Sequence, residues 1–135
     1  MADKFRIAVL GIGGVGGFFG GKLAVQFAGS EEVEIIFIAR GENEKAIQTN
    51  GLKVITTKNE FVAKPILVTN EPDKIGLVDV FLVCTKAYDL AESIVKFNSC
   101  IGKETAILPL LNGVNHDATI KQILPDTEVW NGCVF

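Results

Sequence analysis

Residues 5–16 read Phe5-Arg6-Ile7-Ala8-Val9-Leu10-Gly11-Ile12-Gly13-Gly14-Val15-Gly16, and the fold class follows from them. Phe5 to Leu10 is a short apolar run of the kind that forms a strand buried on both faces, as in a parallel sheet. The glycines follow at once in the order G-x-G-x-x-G. Beyond them Val15, Phe19, Leu23 and Phe27 recur every four residues, which predicts a helix that buries this stripe and runs to Ala28. Gly16, Gly20 and Ala24 form a second row of small residues that lets the helix lie close to the strand before it.

The glycines have separate mechanical reasons. Gly11 supplies the backbone angles of a tight strand-to-helix turn, Gly13 lets backbone approach a pyrophosphate, and Gly16 permits close helix–strand packing. Gly11, Ile12, Gly13, Gly14, Val15 and Gly16 together form a candidate phosphate cradle. Unpaired N–H groups and the positive end of the helix dipole would face the phosphates there. A bare glycine-rich turn can bind nothing at all, but strand before and helix after are the context of a dinucleotide site.

Outward from this stretch, Gly29-Ser30 ends the helix and Val33 to Ala39 reads as a second strand, completing a right-handed βαβ unit. Glu42 to Asn50 is a short polar helix stopped by Gly51. Leu52 to Thr56 and Phe61 to Thr69 are strand-like around a polar tip at Lys58-Asn59-Glu60, which predicts an extended hairpin beside the main sheet. Asn70 to Gly76 reads as a loop, Val78 to Thr85 as a buried strand and Leu90 to Phe97 as a returning helix. Thr105 to Leu111 is another strand, containing Pro109; Val114 to Leu124 is helical, and Thr127 to Phe135 begins a further strand. This alternation predicts an α/β fold, a doubly wound and mostly parallel sheet with an inserted β-hairpin.

The chain of 135 residues reads as one domain, with 48% hydrophobic and 21% charged residues placing it among globular proteins. Its net charge of −3 is spread along the chain, with no basic patch for nucleic acid and no basic amphipathic helix for a membrane surface. The apolar runs are too short to span a bilayer, and Met1-Ala2-Asp3-Lys4 leads straight into the first strand, so no signal peptide is expected. Cys84, Cys100 and Cys133 are odd in number and widely spaced, which suits core thiols in a reducing cytoplasm and no metal site. The chain stops on the apolar run Trp130 to Phe135, as expected of a piece of a longer protein. A sheet edge left uncovered there would favour association, for example as a homodimer.

The residue closing the second strand discriminates between dinucleotides. An acidic side chain would bind both ribose hydroxyls of NAD and repel a 2′-phosphate. Here the position holds Arg40, whose guanidinium can grip that phosphate with paired charged hydrogen bonds, which points to NADP. A solvated strand-end arginine is the plain alternative. Lys86 and Asn112 fall at the carboxyl ends of two later strands, where ligands of doubly wound sheets sit. Spacing alone equally suits a surface lysine and an Asn-Gly turn. His116, the single histidine, reads as a helix-terminus residue, and Asp79 and Asp89 as strand-start and helix-start residues.

Taken together, the glycine loop with Gly20, Ile38-Ala39-Arg40-Gly41, Asn50 through Val54, Asp79 through Lys86, Asn112-Gly113 and Gly132 resemble the N-terminal domain of the ketopantoate reductase family. The resemblance covers nearly the whole chain in the family's order. It implies a Rossmann-type domain that binds NADPH, in an enzyme that reduces the small ketoacid 2-dehydropantoate to pantoate for coenzyme A synthesis. It also implies that Lys86 and Asn112 are active-site residues at the nicotinamide and the substrate. Leu111 departs from the family, which often has glutamine there. The family's helical C-terminal domain, with its general-acid lysine and its serine and glutamate contacts to substrate, has no counterpart in residues 1–135, so this chain is expected to bind cofactor without turnover. Another NADP-linked hydroxyacid dehydrogenase, or a nucleotide sensor without chemistry, would share the same first domain.

Overall fold

The computed structural model describes residues 3–111 and 115–130. Phe5–Leu10 forms β1, whose last three residues are buried, and it leads through the glycines into α1 at Gly14–Gln26. Val33–Ile38 forms β2, and α2 follows over Gly41–Asn50. Leu52–Ile55 and Glu60–Ala63 are β3 and β4, an antiparallel pair forming its own small sheet. The chain continues with β5 at Leu67–Thr69, α3 at Pro72–Ile75 and β6 at Val78–Val83. It then runs through α4 at Leu90–Lys96, β7 at Ile101–Pro109, α5 at His116–Ile123 and β8 at Glu128–Val129.

The main sheet has the order β5-β2-β1-β6-β7-β8, and its pairings are parallel. The expected doubly wound α/β architecture is therefore present. Strand residues alternate between two cores: Ala8, Leu10 and Phe81 on one face, Val9, Phe37 and Leu82 on the other. Burial on both faces is why these strands read as continuous apolar runs rather than alternating ones.

The structure corrects several boundaries. The stripe Val15, Phe19, Leu23 and Phe27 is only half-buried, and the buried residues of α1 are Gly16, Gly17, Gly20, Gly21 and Ala24. The helix is wedged between the sheet and the β3–β4 hairpin, and it touches both through its small residues. The hairpin's second arm ends at Ala63, and Leu67–Thr69 leaves it to pair in parallel with β2. Pro65 lies between them, a residue that cannot donate to a ladder. The predicted loop at 70–76 contains α3, opened by Pro72 at the first helical position and closed by Gly76 at φ +75°. The seventh strand begins at Ile101 rather than Thr105: the Thr105 hydroxyl donates to the Val78 carbonyl at 2.5 Å and accepts from the Gly102 N–H at 2.9 Å across a register shift. The helix predicted over 114–124 spans His116–Ile123, and of the last strand Glu128–Val129 is formed while residues 131–135, with Cys133, lie outside the described residues.

At the amino ends of the strands, Arg6 ties three segments together. Its Nη1 donates to the carbonyls of Ile75 at 2.6 Å and Leu77 at 2.8 Å, and its backbone N–H donates to Asp79 Oδ2 at 2.8 Å. This clip fixes β6 beside β1 and leaves the carboxyl ends open.

Candidate functional site

The carboxyl ends of β1, β2 and β6 surround a crevice of about 410 Å³. Strand order reverses here, since the chain builds away from β1 through β2 and β5 before crossing back to β6. Doubly wound sheets form their ligand crevices at such a switch point, and the volume lies in the range of small-molecule sites.

Gly11 turns the chain at φ +89°, and a Cβ on it would lie 2.9 Å from the Cys84 carbonyl oxygen. A Cβ on Gly16 would come within 1.8 Å of the Gly11 carbonyl oxygen, so helix and turn are in backbone contact. Gly13 and Gly14 are different: a Cβ on either meets nothing within 4 Å, which leaves open space above the loop. The first full helical bond runs from the Gly17 N–H to the Gly13 carbonyl at 2.8 Å. The N–H groups of Gly14, Val15 and Gly16 thus have no acceptor one turn back, and neither a side-chain cap nor an acidic residue occupies the first turn. A helix start of this kind attracts an anion. Ile12 contributes backbone only; its side chain is buried, and its carbonyl accepts a 3.1 Å hydrogen bond from Asn43 Nδ2. Val15 is half-buried on the helix.

Arg40 stands at the start of α2 with its side chain 78% exposed, and its Nη2 lies 3.9 Å from Asp89 Oδ2. Lys86 is exposed at the crevice, just before the 3-10 turn Ala87–Asp89. Asn112 lies outside the described residues, after a buried Leu111. Thr85 Oγ1 is buried in the crevice wall with no hydrogen-bond partner among the described residues. Burial pushes the Cys84 thiol up to about 11, so it is no nucleophile near neutrality. His116 opens α5, half-buried, and does not line the crevice.

Asn43, Asn70 and Asp89 also lie in the crevice wall, beyond the residues that the sequence pattern points to. Asn43 had a signal, since it falls three residues after Arg40 and therefore on the same helical face. Asn70 follows a strand whose membership of the main sheet no local pattern reveals, and Asp89 reads as a helix-start residue from its position alone. Among the described residues no group of three or more His, Cys, Asp or Glu is placed to hold a metal ion. No helix among them is long and apolar enough to cross a membrane.

A family model described as "Ketopantoate reductase PanE/ApbA" matches residues 7–135. A 2-dehydropantoate 2-reductase of Mesorhizobium japonicum is 31% identical over 109 residues, covering 81% of this chain and 32% of the relative. The crystal structure of 2-dehydropantoate 2-reductase from Porphyromonas gingivalis superposes with a TM-score of 0.91 at 43% identity, covering 98% of this chain and 47% of that one. A ternary structure of D-mandelate dehydrogenase with NADH and anilino(oxo)acetate superposes with a TM-score of 0.78 at 27% identity, over 96% of this chain and 40% of that one. The chain thus spans a third to a half of the length of these relatives.

Proposed function

The chain belongs to the ketopantoate reductase family, and we propose that residues 1–135 are the NADPH-binding domain of a cytoplasmic 2-dehydropantoate 2-reductase. The observation that carries this reading is an exposed Arg40 at the crevice end of β2, beside the open cradle at Gly13 and Gly14. The free amides of α1 take the pyrophosphate. Arg40 takes the 2′-phosphate, a contact that two charged hydrogen bonds of about 1.5–3 kcal/mol each make selective. When bound, the dinucleotide supplies a hydride to the C2 ketone of the ketoacid.

Lys86 holds negative charge of the cofactor or substrate at the nicotinamide end. Asn112 both donates and accepts, which suits a ribose hydroxyl or a substrate oxygen. Reduction of a ketone also needs a proton donor at its oxygen and closure that excludes water. The resemblance assigns the donor to a lysine of a second, helical domain, so residues 1–135 bind cofactor and turn over no substrate. Measurable pantoate formation by these residues alone would overturn that part.

Fluorescence titration with NADPH and NADH tests the cofactor reading. Arg40→Ala weakens NADPH by tenfold or more, about 1.4 kcal/mol, and NADH far less. Equal losses for both remove Arg40 from the phosphate. The likeness to D-mandelate dehydrogenase supports a second reading, a dehydrogenase of another hydroxyacid. Comparing 2-dehydropantoate with other 2-ketoacids as substrates of the whole protein separates the two.

A further inference from the structure

Arg40 and Asp89 come from opposite halves of the sheet, one after β2 and the other after β6, and both line the crevice. Their charged atoms are 3.9 Å apart, with the aspartate side chain 25% exposed and the arginine 78%. A pair so long and so open to solvent contributes little to stability. Asp89 also makes no side-chain hydrogen bond to the helix that it precedes. Neither ion pairing nor capping therefore accounts for a carboxylate at this position in the crevice.

Resting on the reading of Arg40 as the 2′-phosphate ligand, we infer that Asp89 restrains this protein's preference for NADPH over NADH. In the free protein the carboxylate faces the guanidinium. A 2′-phosphate must take its place and then remain within a few ångströms of a like charge, inside the screening length of about 8 Å at physiological salt. A ribose with free hydroxyls meets no such repulsion, and a carboxylate accepts hydrogen bonds from hydroxyls. The two residues pull in opposite directions, Arg40 toward the phosphate and Asp89 toward the hydroxyls. Lys86, Glu92 and Lys96 line the same crevice, so with Asp89 neutralised Glu92 is the one acid left among the lining residues.

The test is a titration of NADPH and NADH, followed by nicotinamide fluorescence at fixed ionic strength, on the parent protein and on Asp89→Asn and Asp89→Ser. Both variants are expected to tighten NADPH by about three- to thirtyfold, the range for one or two unit charges of like sign at about 4 Å under the water-like screening of so open a crevice. NADH affinity is expected to stay level or fall. Equal changes for both dinucleotides, or NADPH affinity unchanged or weakened, overturn the inference. Parent protein that binds NADPH through Arg40 while both Asp89 variants match it sinks this inference alone; parent protein that binds neither dinucleotide sinks the cofactor reading along with it.

Discussion

Gly13 and Gly16 stand one helical turn apart under opposite constraints. At Gly16 an added methyl would overlap the Gly11 carbonyl oxygen at 1.8 Å, and neither backbone can yield without moving helix from strand. Gly16→Ala is expected to destabilise the fold by about 3 kcal/mol or more in urea unfolding. At Gly13 the same methyl meets only open space. Gly13→Ala should leave stability within about 0.5 kcal/mol, the range of substitutions that touch nothing, while dinucleotide affinity falls. Unchanged affinity would show that no pyrophosphate lies against the backbone at Gly13. Cys84 carries a pH signature. Its thiol is raised by burial from 9.0 to about 11, so the folded state keeps the proton that the unfolded state releases first. The stability this contributes is fully present below pH 9 and is lost as pH rises toward 11. Burial pushes Cys100 in the same direction. Equilibrium unfolding across that window should show the decline, and Cys84→Ala should flatten part of it.

The α1 helix and the β3–β4 hairpin meet through glycine. A Cβ on Gly21 would lie 2.7 Å from Val54 Cγ2, and one on Gly17 would lie 3.8 Å from Leu52 Cδ2. The helix can therefore be covered on a second side without moving from the sheet. Gly21→Ala should cost about 1–3 kcal/mol by overpacking. Val54→Ala in the same chain should recover part of it, with a coupling of about 0.5–3 kcal/mol in a double-mutant cycle. Strictly additive losses would mean that the hairpin does not press on this face. The row of small residues was legible because its spacing is helical. That two small faces would be buried, one by the sheet and one by the hairpin, was not, because the hairpin returns from more than thirty residues further along the chain.

Across the whole molecule, both faces of the sheet are covered and the crevice is left open at its carboxyl edge. A ligand that binds only the folded state at a hundred times its Kd adds about 2.7 kcal/mol. For a chain of this size that should raise Tm by roughly 10 °C, with NADPH reaching the effect at lower concentration than NADH. A Tm unmoved by millimolar amounts of either dinucleotide would contradict the cofactor reading. The strand–glycine–helix opening, the alternation of buried strands with helices and the place of Arg40 at a strand end are all written in the local order of residues. These are local, because strand and helix periods and turn residues act within a few positions of one another. That Leu67–Thr69 leaves the hairpin to join the main sheet, that Asn43 anchors the loop through Ile12, and that Asp89 comes to face Arg40 emerges only in the folded chain. Each depends on residues far apart in the chain being brought together as the sheet closes around its switch point, and no local pattern encodes such a distance.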